Sequence, residues 1–239
     1  MGAIMLEINE GSNLDTGWRS DRGSFAYRRS PSRASPLGGV AKRIIDLVFA
    51  SCALIPFLLL FGLVSATIVL FDGAPILYRH PRIGYGRRPF LCLKFRTMVP
   101  DGDEILRRHL QSSPSAAREW AETRKLKNDP RVTMVGGVLR KLSLDELPQL
   151  INVLRGDMSV VGPRPIVADE VTMYGADARY YFMARPGLTG PWQVGGRSDE
   201  KYADRVALDR AYVQNWSLWK DISIILKTVP ALLNSKGSY

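Results

Sequence analysis

Residues 140–165, RKLSLDELPQLINVLRGDMSVVGPRP, combine a helical hydrophobic pattern with two adjacent carboxylates. Four apolar residues fall at positions i, i+3, i+4 and i+7: Leu147, Leu150, Ile151 and Leu154. This spacing predicts a helix with one buried face. Ser143 and Glu146 have the spacing of a capping box, and Pro148 is tolerated only near a helix start. The pattern therefore predicts that Asp145 and Glu146 lie at the N-terminus of the helix.

The position of this Asp-Glu pair indicates phosphate and metal chemistry. Backbone N–H groups and the dipole attract phosphate to a helix N-terminus, and a carboxylate there stays ionised. Two adjacent carboxylates can hold a Mg²⁺ ion that takes its other ligands from water and a diphosphate, and an ionised aspartate can attack phosphorus. Three other Asp-Glu pairs occur, at residues 103–104, 169–170 and 199–200. The pair at 145–146 is favoured because Arg140 precedes it and Asp157 and Arg164 follow its helix.

The rest of the chain predicts an α/β fold, a small mixed domain with short strands. Residues 90–98 and 158–162 are typical of strands, and the first would place Lys94 and Arg96 on one face. Polar surface helices are predicted at residues 103–111 and 115–127. Residues 203–233 predict an amphipathic helix with tryptophan and lysine among apolar residues, which suits either the membrane interface or packing on the domain.

Residues 47–71 carry no charge and are long enough to cross a bilayer as a helix. Pro56, however, lies near the middle of this segment. Proline kinks or breaks a helix, and basic residues flank the segment on both sides. We therefore expect a re-entrant membrane helix at 38–73, with both ends in the cytoplasm. A kinked single-pass helix and a buried soluble helix are the alternatives. Residues 1–37 predict a disordered basic tail, and residues 74–239 a cytoplasmic catalytic domain with a C-terminal interfacial helix.

Composition limits which partners and which metal sites are expected. With 33 Lys and Arg against 23 Asp and Glu, the net charge is +10, which calls for nucleic acid, an anionic membrane or phosphorylated substrates. Aromatic residues are not interleaved with the arginines, so a single-strand nucleic-acid groove is not expected. The two histidines are too few for a multi-histidine zinc site. Cys52 and Cys92 are expected to be buried small hydrophobes.

Several ordered motifs resemble the bacterial sugar transferase family of monotopic phosphoglycosyl transferases. They are KFRTM (94–98), NDPRVT (128–133), the segment 142–165, RPGLTGPWQVGGR (185–197) and the closing KGSY (236–239). The resemblance covers residues 42–239, so only the N-terminal tail lies outside it.

The resemblance implies a membrane enzyme that moves a hexose-1-phosphate from a UDP-sugar to undecaprenyl phosphate, the first membrane step of exopolysaccharide synthesis. UMP would leave as Asp145 forms a covalent aspartyl phosphosugar intermediate, and Glu146 would help Asp145 to bind Mg²⁺. Glucose or galactose is favoured as the sugar. The enzyme would lie in the inner membrane with its catalytic domain facing the cytoplasm. Its expected partners are the UDP-sugar, undecaprenyl phosphate, membrane lipid and, as an option, a second copy of the chain.

The resemblance also assigns roles to further residues. The substrate-binding residues would be Lys94, Arg140, Asp157, Pro163, Arg164, Pro165, Arg185 and Arg197. Lys42, Arg43 and Asp46 match the family's N-terminal signature and would form the lipid-phosphate region at the mouth of the membrane helix. Pro56 would be the membrane hinge, although Ile55 precedes it where family members often have serine.

Two other functions fit parts of the sequence. A metal-dependent nucleotide-sugar hydrolase would use the same Mg²⁺ and arginines with water as acceptor. A membrane-tethered protein that binds polyanions would use the basic surface without any chemistry at Asp145.

Overall fold

The computed structural model describes residues 35–123, 126–195 and 202–233. Helices dominate the described part, and its strands are short and paired in twos, as expected for a small mixed domain. The helices are α1 Gly39–Asp72, α2 Gly102–Ser112, α3 Pro114–Thr123, α4 Met134–Lys141, α5 Gln149–Arg155, α6 Glu170–Tyr174, α7 Ala178–Tyr181, α8 Pro191–Val194, α9 Tyr202–Gln214 and α10 Leu218–Leu233. The strands are β1 Leu77–Ile83, β2 Pro89–Phe95, β3 Ser159–Val161 and β4 Gly187–Thr189. The basic tail predicted at 1–37 lies almost wholly outside the described residues.

Helix α1 packs one face against the domain and exposes the other. Its buried apolar residues include Ala50, Phe57, Val64 and Ile68. Phe61 joins the helix to the domain, because its ring centroid lies 5.0 Å from that of Phe95 on β2. On the opposite face Leu59 and Leu70 are 77% and 78% exposed. The segment Ile55–Asp72 is long and apolar enough to cross a membrane, and 17% of it is buried within the structure.

Pro56 lies inside α1 and does not end it. The helix is therefore unbroken at Pro56, although proline still removes the hydrogen bond to the carbonyl four residues earlier. The apolar face also includes Cys52, which is exposed rather than buried as expected, because it points away from the domain.

Both ends of α1 are fixed to the domain by polar contacts. Near its start, Lys42 Nζ lies 2.5 Å from Asp221 Oδ2 on α10. At its end, Arg96 donates to the carbonyls of Asp72, Gly73 and Ala74 at 2.6 Å each, which satisfies acceptors that a helix C-terminus leaves unpaired. The sequence predicted that Arg96 shares a strand face with Lys94. Instead β2 ends at Phe95, and Arg96 is buried against the end of α1.

The motif NDPRVT connects the start of α4 to the end of α1 through Thr133. Thr133 caps α4, since its Oγ1 accepts from Gly136 N at 2.8 Å and donates to Asp72 Oδ2 at 2.7 Å. Gly136 is required by close packing, because a Cβ there would lie 2.1 Å from the carbonyl oxygen of Thr97. Helix α4 therefore lies directly on the KFRTM segment.

The C-terminal region forms two helices rather than the single helix predicted at 203–233. Helix α9 ends at Gln214 and α10 begins at Leu218. Lys220 N donates to the side-chain Oγ of Ser217 at 3.2 Å and to the Ser217 carbonyl at 3.1 Å, so Ser217 caps the start of the second helix. On α10, Trp219 and Leu226 are 79% and 67% exposed, while Ile224 is buried.

Candidate active site

The β1–β2 hairpin brings three side chains to one face. Its antiparallel register pairs His80 with Cys92 and Arg82 with Phe90. Because side chains two residues apart point the same way, Arg82, Cys92 and Lys94 face the same cleft. No strand was predicted at β1, so Arg82 was not among the predicted site residues.

The carboxylate pair lies on a 3₁₀ turn, Leu144–Glu146, rather than in the first turn of an α-helix. The predicted capping box is wrong: Ser143 has φ 56° and its side chain makes no cap hydrogen bond. Pro148 has helical dihedral angles and leads the turn into α5, which begins at Gln149. The pair is thus fixed by the turn and by α5 behind it, whose residues Leu150 and Val153 are buried in the core.

Lys94 lies between the two carboxylates. Its Nζ is 2.7 Å from Glu146 Oε1 and 3.8 Å from Asp145 Oδ2. Burial alone would raise the pKa of Glu146, but the charges of Lys94, Arg164 and Arg82 outweigh it and lower that pKa. Burial is also the largest influence on Asp145 and raises its pKa; Glu146 adds to the rise, whereas Lys94 and Arg140 oppose it. The two adjacent carboxyl groups are therefore electrostatically different, and Glu146 is the one held as the anion.

Arginines flank the pair on both sides, as predicted. Arg140 Nε donates to Thr97 Oγ1 at 2.9 Å, and its charge acts on Asp145. Arg164 acts on Glu146, and its guanidinium lies 5.2 Å from the ring centroid of Trp192. The structure thus places three of the eight predicted substrate-binding residues, Lys94, Arg140 and Arg164, near the Asp145–Glu146 pair.

An open cleft of about 280 Å³ adjoins Glu146. It is lined by Arg82, Cys92, Lys94, Glu146, Gln149, Arg164, Pro165, Gly187, Leu188 and Gln193. Gln149 and Gln193 were missed by the sequence analysis, since an isolated amide gives no pattern. Gln149 follows Glu146 by three residues, which is the spacing of one helical turn and the available signal for it.

Four described residues that were predicted to bind substrate do not line the cleft: Arg140, Asp157, Pro163 and Arg185. Asp157 accepts from Asn152 Nδ2 at 3.1 Å beyond the far end of α5, and Arg185 Nε donates to Gly156 O at 2.9 Å in the same region. Pro163 is buried, and its carbonyl accepts from Gly187 N at 2.8 Å, so it shapes the turn that presents Arg164. Arg197 lies outside the described residues.

The three residues predicted for lipid phosphate are engaged inside the protein. Lys42 is paired with Asp221, and both side chains are at most 5% exposed. Arg43 donates to the carbonyls of Val153 and Leu154 at 2.6 and 2.8 Å, where it caps the end of α5.

Asp46, the third of these residues, accepts from Ser159 Oγ and Val160 N at 2.8 Å each. It is 1% exposed. These contacts give the signature a structural role in holding α1 to the domain, and none of the three residues lines the cleft.

The donor set fits a weakly held Mg²⁺ ion. Asp145 and Glu146 are adjacent, and the ammonium of Lys94 already occupies the position between them as a cation. Within the described ranges no three His, Cys, Asp or Glu side chains cluster as a metal cage. Two carboxylates suit an ion that takes its remaining ligands from water and a diphosphate.

Comparison with known proteins identifies the family of the chain. The sequence model described as "Bacterial sugar transferase" matches residues 37–235. The chain is 53% identical over 226 residues to exopolysaccharide production protein ExoY of Rhizobium meliloti, covering 95% of this chain and 100% of that protein. It is 54% identical over 168 residues to undecaprenyl-phosphate galactose phosphotransferase of Salmonella typhimurium, covering 70% of this chain and 35% of that protein.

A third relative differs in the sugar that its name gives. UDP-glucose:undecaprenyl-phosphate glucose-1-phosphate transferase of Caulobacter vibrioides is 42% identical over 206 residues, covering 83% of this chain and 72% of that protein. The family match spans α1, the carboxylate turn and the cleft together. The predicted resemblance is thereby confirmed, and the chain belongs to the bacterial sugar transferase family.

Proposed function

We propose that this protein transfers a hexose-1-phosphate from a UDP-sugar to undecaprenyl phosphate during exopolysaccharide synthesis. The main support for this function is the Asp145–Glu146 pair, which contacts Lys94 and is flanked by Arg140 and Arg164. The names of relatives that share this region support the lipid carrier and the sugar phosphate.

Asp145 is the proposed nucleophile. Its carboxylate oxygen attacks the sugar-bearing phosphorus, and the bond from that phosphorus to the bridging oxygen breaks, so that UMP leaves with the electron pair. An oxygen of undecaprenyl phosphate then attacks the same phosphorus and releases the Asp145 carboxylate. The attacking groups are the Asp145 carboxyl in its ionised form and an ionised oxygen of undecaprenyl phosphate, so neither attack transfers a proton.

The neighbouring charges prepare this reaction. Glu146 stays ionised, and with Asp145 it would hold Mg²⁺, which neutralises diphosphate charge when bound. Lys94, Arg140 and Arg164 place three positive groups beside the carboxylates, where they would neutralise phosphate oxygens that otherwise repel an aspartate.

The proposed location is the cytoplasmic face of the inner membrane, with α1 entering and leaving on one side. Two observations support this arrangement. Lys42 and Asp72, near opposite ends of α1, both contact the same domain, while the helix face between them exposes leucines. Helix α10 exposes Trp219 and Leu226, and α4 exposes Met134 and Val138, so both suit a membrane interface.

The decisive experiment is isotope exchange between UMP and the UDP-sugar without lipid acceptor. We expect exchange with wild-type protein, Mg²⁺ and either UDP-glucose or UDP-galactose, and a loss of at least about 10³-fold in Asp145→Asn. Asp103→Asn, in an exposed Asp-Glu pair on α2, is the matched control and should exchange normally.

Other outcomes separate the alternatives. Sugar phosphate that appears only in water, and never in solvent-extractable lipid, would indicate the hydrolase. Transfer without UMP exchange would replace the covalent intermediate with direct transfer. Binding of polyanions that is unaffected by Asp145→Asn, without any transfer, would indicate the non-enzymatic protein.

A further inference from the structure

Glu170, the first residue of α6, links two arginines. Its Oε1 lies 3.3 Å from Arg205 Nη1, and its Oε2 lies 3.5 Å from Arg82 Nη1. Val167 N also donates to Oε2 at 2.9 Å, which fixes the carboxylate to its own turn. Both carboxylate oxygens therefore have partners, and one partner is a residue of the cleft.

Arg205 on α9 supports the second cleft arginine without lining the cleft itself. It is 6% exposed, and its Nη2 donates to the carbonyl of Arg164 at 3.4 Å. Its guanidinium lies 5.3 Å from the ring centroid of Trp192, the same ring that Arg164 approaches to 5.2 Å. Arg205 thus contacts both the backbone of Arg164 and the aromatic surface beside the Arg164 side chain.

Arg82 completes the connection, because its Nη1 donates to the carbonyl of Pro165 at 3.1 Å. Arg82 and Arg205 therefore hold consecutive carbonyls of the turn that presents Arg164. Burial and the like charge of Arg164 lower the pKa of Arg82, so the two cleft arginines repel one another. Without the carboxylate of Glu170, Arg82 would be drawn toward Glu146, the other acidic group that acts with it electrostatically.

We propose that the Glu170–Arg205 pair is a positioning device that holds Arg82 and Arg164 as two separate arms for a diphosphate. This makes Arg82 a substrate-binding residue, and Glu170 and Arg205 positioning residues. The identity of the diphosphate as a UDP-sugar rests on the proposed function; the arrangement of the two arms does not.

The proposal predicts that loss of the Glu170 charge weakens anion binding, whereas a purely electrostatic effect of that charge would strengthen it. Removing a negative charge near an anion site strengthens anion binding if only the long-range field matters. If Glu170 positions the arginines, its removal weakens anion binding instead, because Arg82 turns from the diphosphate toward Glu146. The direction of the change therefore separates positioning from charge.

The test measures the affinity of the full chain in detergent for inorganic pyrophosphate and for UDP, both with Mg²⁺. We expect Glu170→Gln to weaken both by about tenfold, and Glu170→Asp to stay within about threefold of wild type. Arg205→Lys keeps the charge but loses the planar fork, and should also weaken both ligands. Glu104→Gln is the matched control, since Glu104 also pairs with two arginines, Arg107 and Arg108, on exposed α2.

Turnover supplies a second readout. In the exchange reaction, KM for the UDP-sugar should rise about tenfold in Glu170→Gln while kcat changes by less than about threefold. Thermal unfolding of each variant identifies any general loss of structure, and Arg205→Lys remains informative if Glu170→Gln does not fold. Unchanged or tighter pyrophosphate binding in folded Glu170→Gln would overturn the proposal. Absence in wild type of both UMP exchange and sugar-phosphate transfer to undecaprenyl phosphate, with the pyrophosphate pattern intact, would instead refute the proposed function alone.

Discussion

Lys94 contacts both carboxylates of the Asp145–Glu146 pair, of which Glu146 lines the cleft. Its ammonium group lies closer to Glu146 than to Asp145. The pKa of Glu146 is lowered and that of Asp145 is raised, chiefly because burial of Asp145 is less fully compensated. A nucleophile whose pKa is raised must lose its proton before it can act, so the pH dependence of the reaction reports on this contact.

We expect Lys94→Met to move the acid limb of the UMP exchange profile to higher pH. Lys94 opposes the raised pKa of Asp145, so its removal raises that pKa further. Below its pKa Asp145 is protonated and cannot attack phosphorus; above it the carboxylate is available. The measurement is the exchange rate against pH, normalised to each maximum. Lys127→Met, on an exposed lysine, should leave the limb in place; a limb that moves to lower pH in Lys94→Met would contradict the assignment.

Lys42 gives a second prediction for a single residue. Its pair with Asp221 is buried, and Tyr212 and Trp216 donate to the same carboxylate at 2.6 and 3.0 Å. Lys42→Met should lower the free energy of unfolding by about 3–5 kcal/mol, because an uncompensated buried charge remains. The measurement is denaturant or thermal unfolding in detergent.

An exposed ion pair provides the comparison for Lys42. Arg210 and Asp177 lie 3.1 Å apart with side chains 45% and 26% exposed. Asp177→Asn should cost only about 0–1 kcal/mol. If Lys42→Met instead left stability unchanged and reduced transfer to undecaprenyl phosphate, the lipid-phosphate role predicted from the sequence would be restored.

At the scale of elements, α1 shows how packing constrains topology. Its apolar length alone fits either a span or a re-entrant helix. The contacts at its two ends add a constraint: Lys42 pairs with α10, and Asp72 accepts from Thr133 at the start of α4. Since both partners belong to one domain, both ends should lie on one side of the bilayer.

Cysteine labelling tests this topology. In a Cys52→Ser background, Val40→Cys and Phe71→Cys place thiols at exposed positions near the two ends of α1, while Cys92 stays buried. We expect a membrane-impermeant maleimide to label both thiols in inverted vesicles and neither in intact spheroplasts. Labelling of one end from each side would establish a single-pass helix and contradict the re-entrant arrangement.

At the scale of the whole molecule, the cleft is assembled from segments far apart in the chain. The β1–β2 hairpin supplies Arg82 and Lys94, the 3₁₀ turn supplies Glu146, and the turn after β3 supplies Arg164. Helices α6 and α9 support the arginines from outside. This arrangement offers several cationic side chains for phosphate groups but few ligands for a metal ion. Mg²⁺ and nucleotide should therefore bind together.

We therefore expect thermal unfolding to show strong coupling between Mg²⁺ and UDP. Mg²⁺ alone should leave the Tm nearly unchanged, whereas Mg²⁺ with UDP at about 100 times its Kd should stabilise the protein by about 2.7 kcal/mol. Removing Mg²⁺ with a chelator should abolish UMP exchange. Asp145→Asn and Glu146→Gln should each reduce the coupling, and Asp103→Asn should not. A large Tm increase with Mg²⁺ alone would reveal a preformed metal site and contradict the weak donor set.

Much of the candidate site could be predicted from residues 140–165. The Asp145–Glu146 pair, the flanking Arg140 and Arg164, and the apolar residues of α5 are local in sequence, so spacing was enough to group them. Arg82 could not be found in this way, because its place beside Lys94 depends on the register of a hairpin. Asp157 was misplaced for the converse reason: it is close in sequence, but α5 separates it from the cleft.

Composition and short spacing were enough to identify the family, the apolar length of α1 and the acidic pair. The pairing of the charged side chains, by contrast, became visible only in the folded chain. Folding buried Lys42 and Asp46 inside the domain, and it converted Glu170 from one of several Asp-Glu pairs into the link between Arg82 and Arg205. The physical reason is that a charge acts through distance and burial, and those are fixed only when segments distant in the chain come into contact.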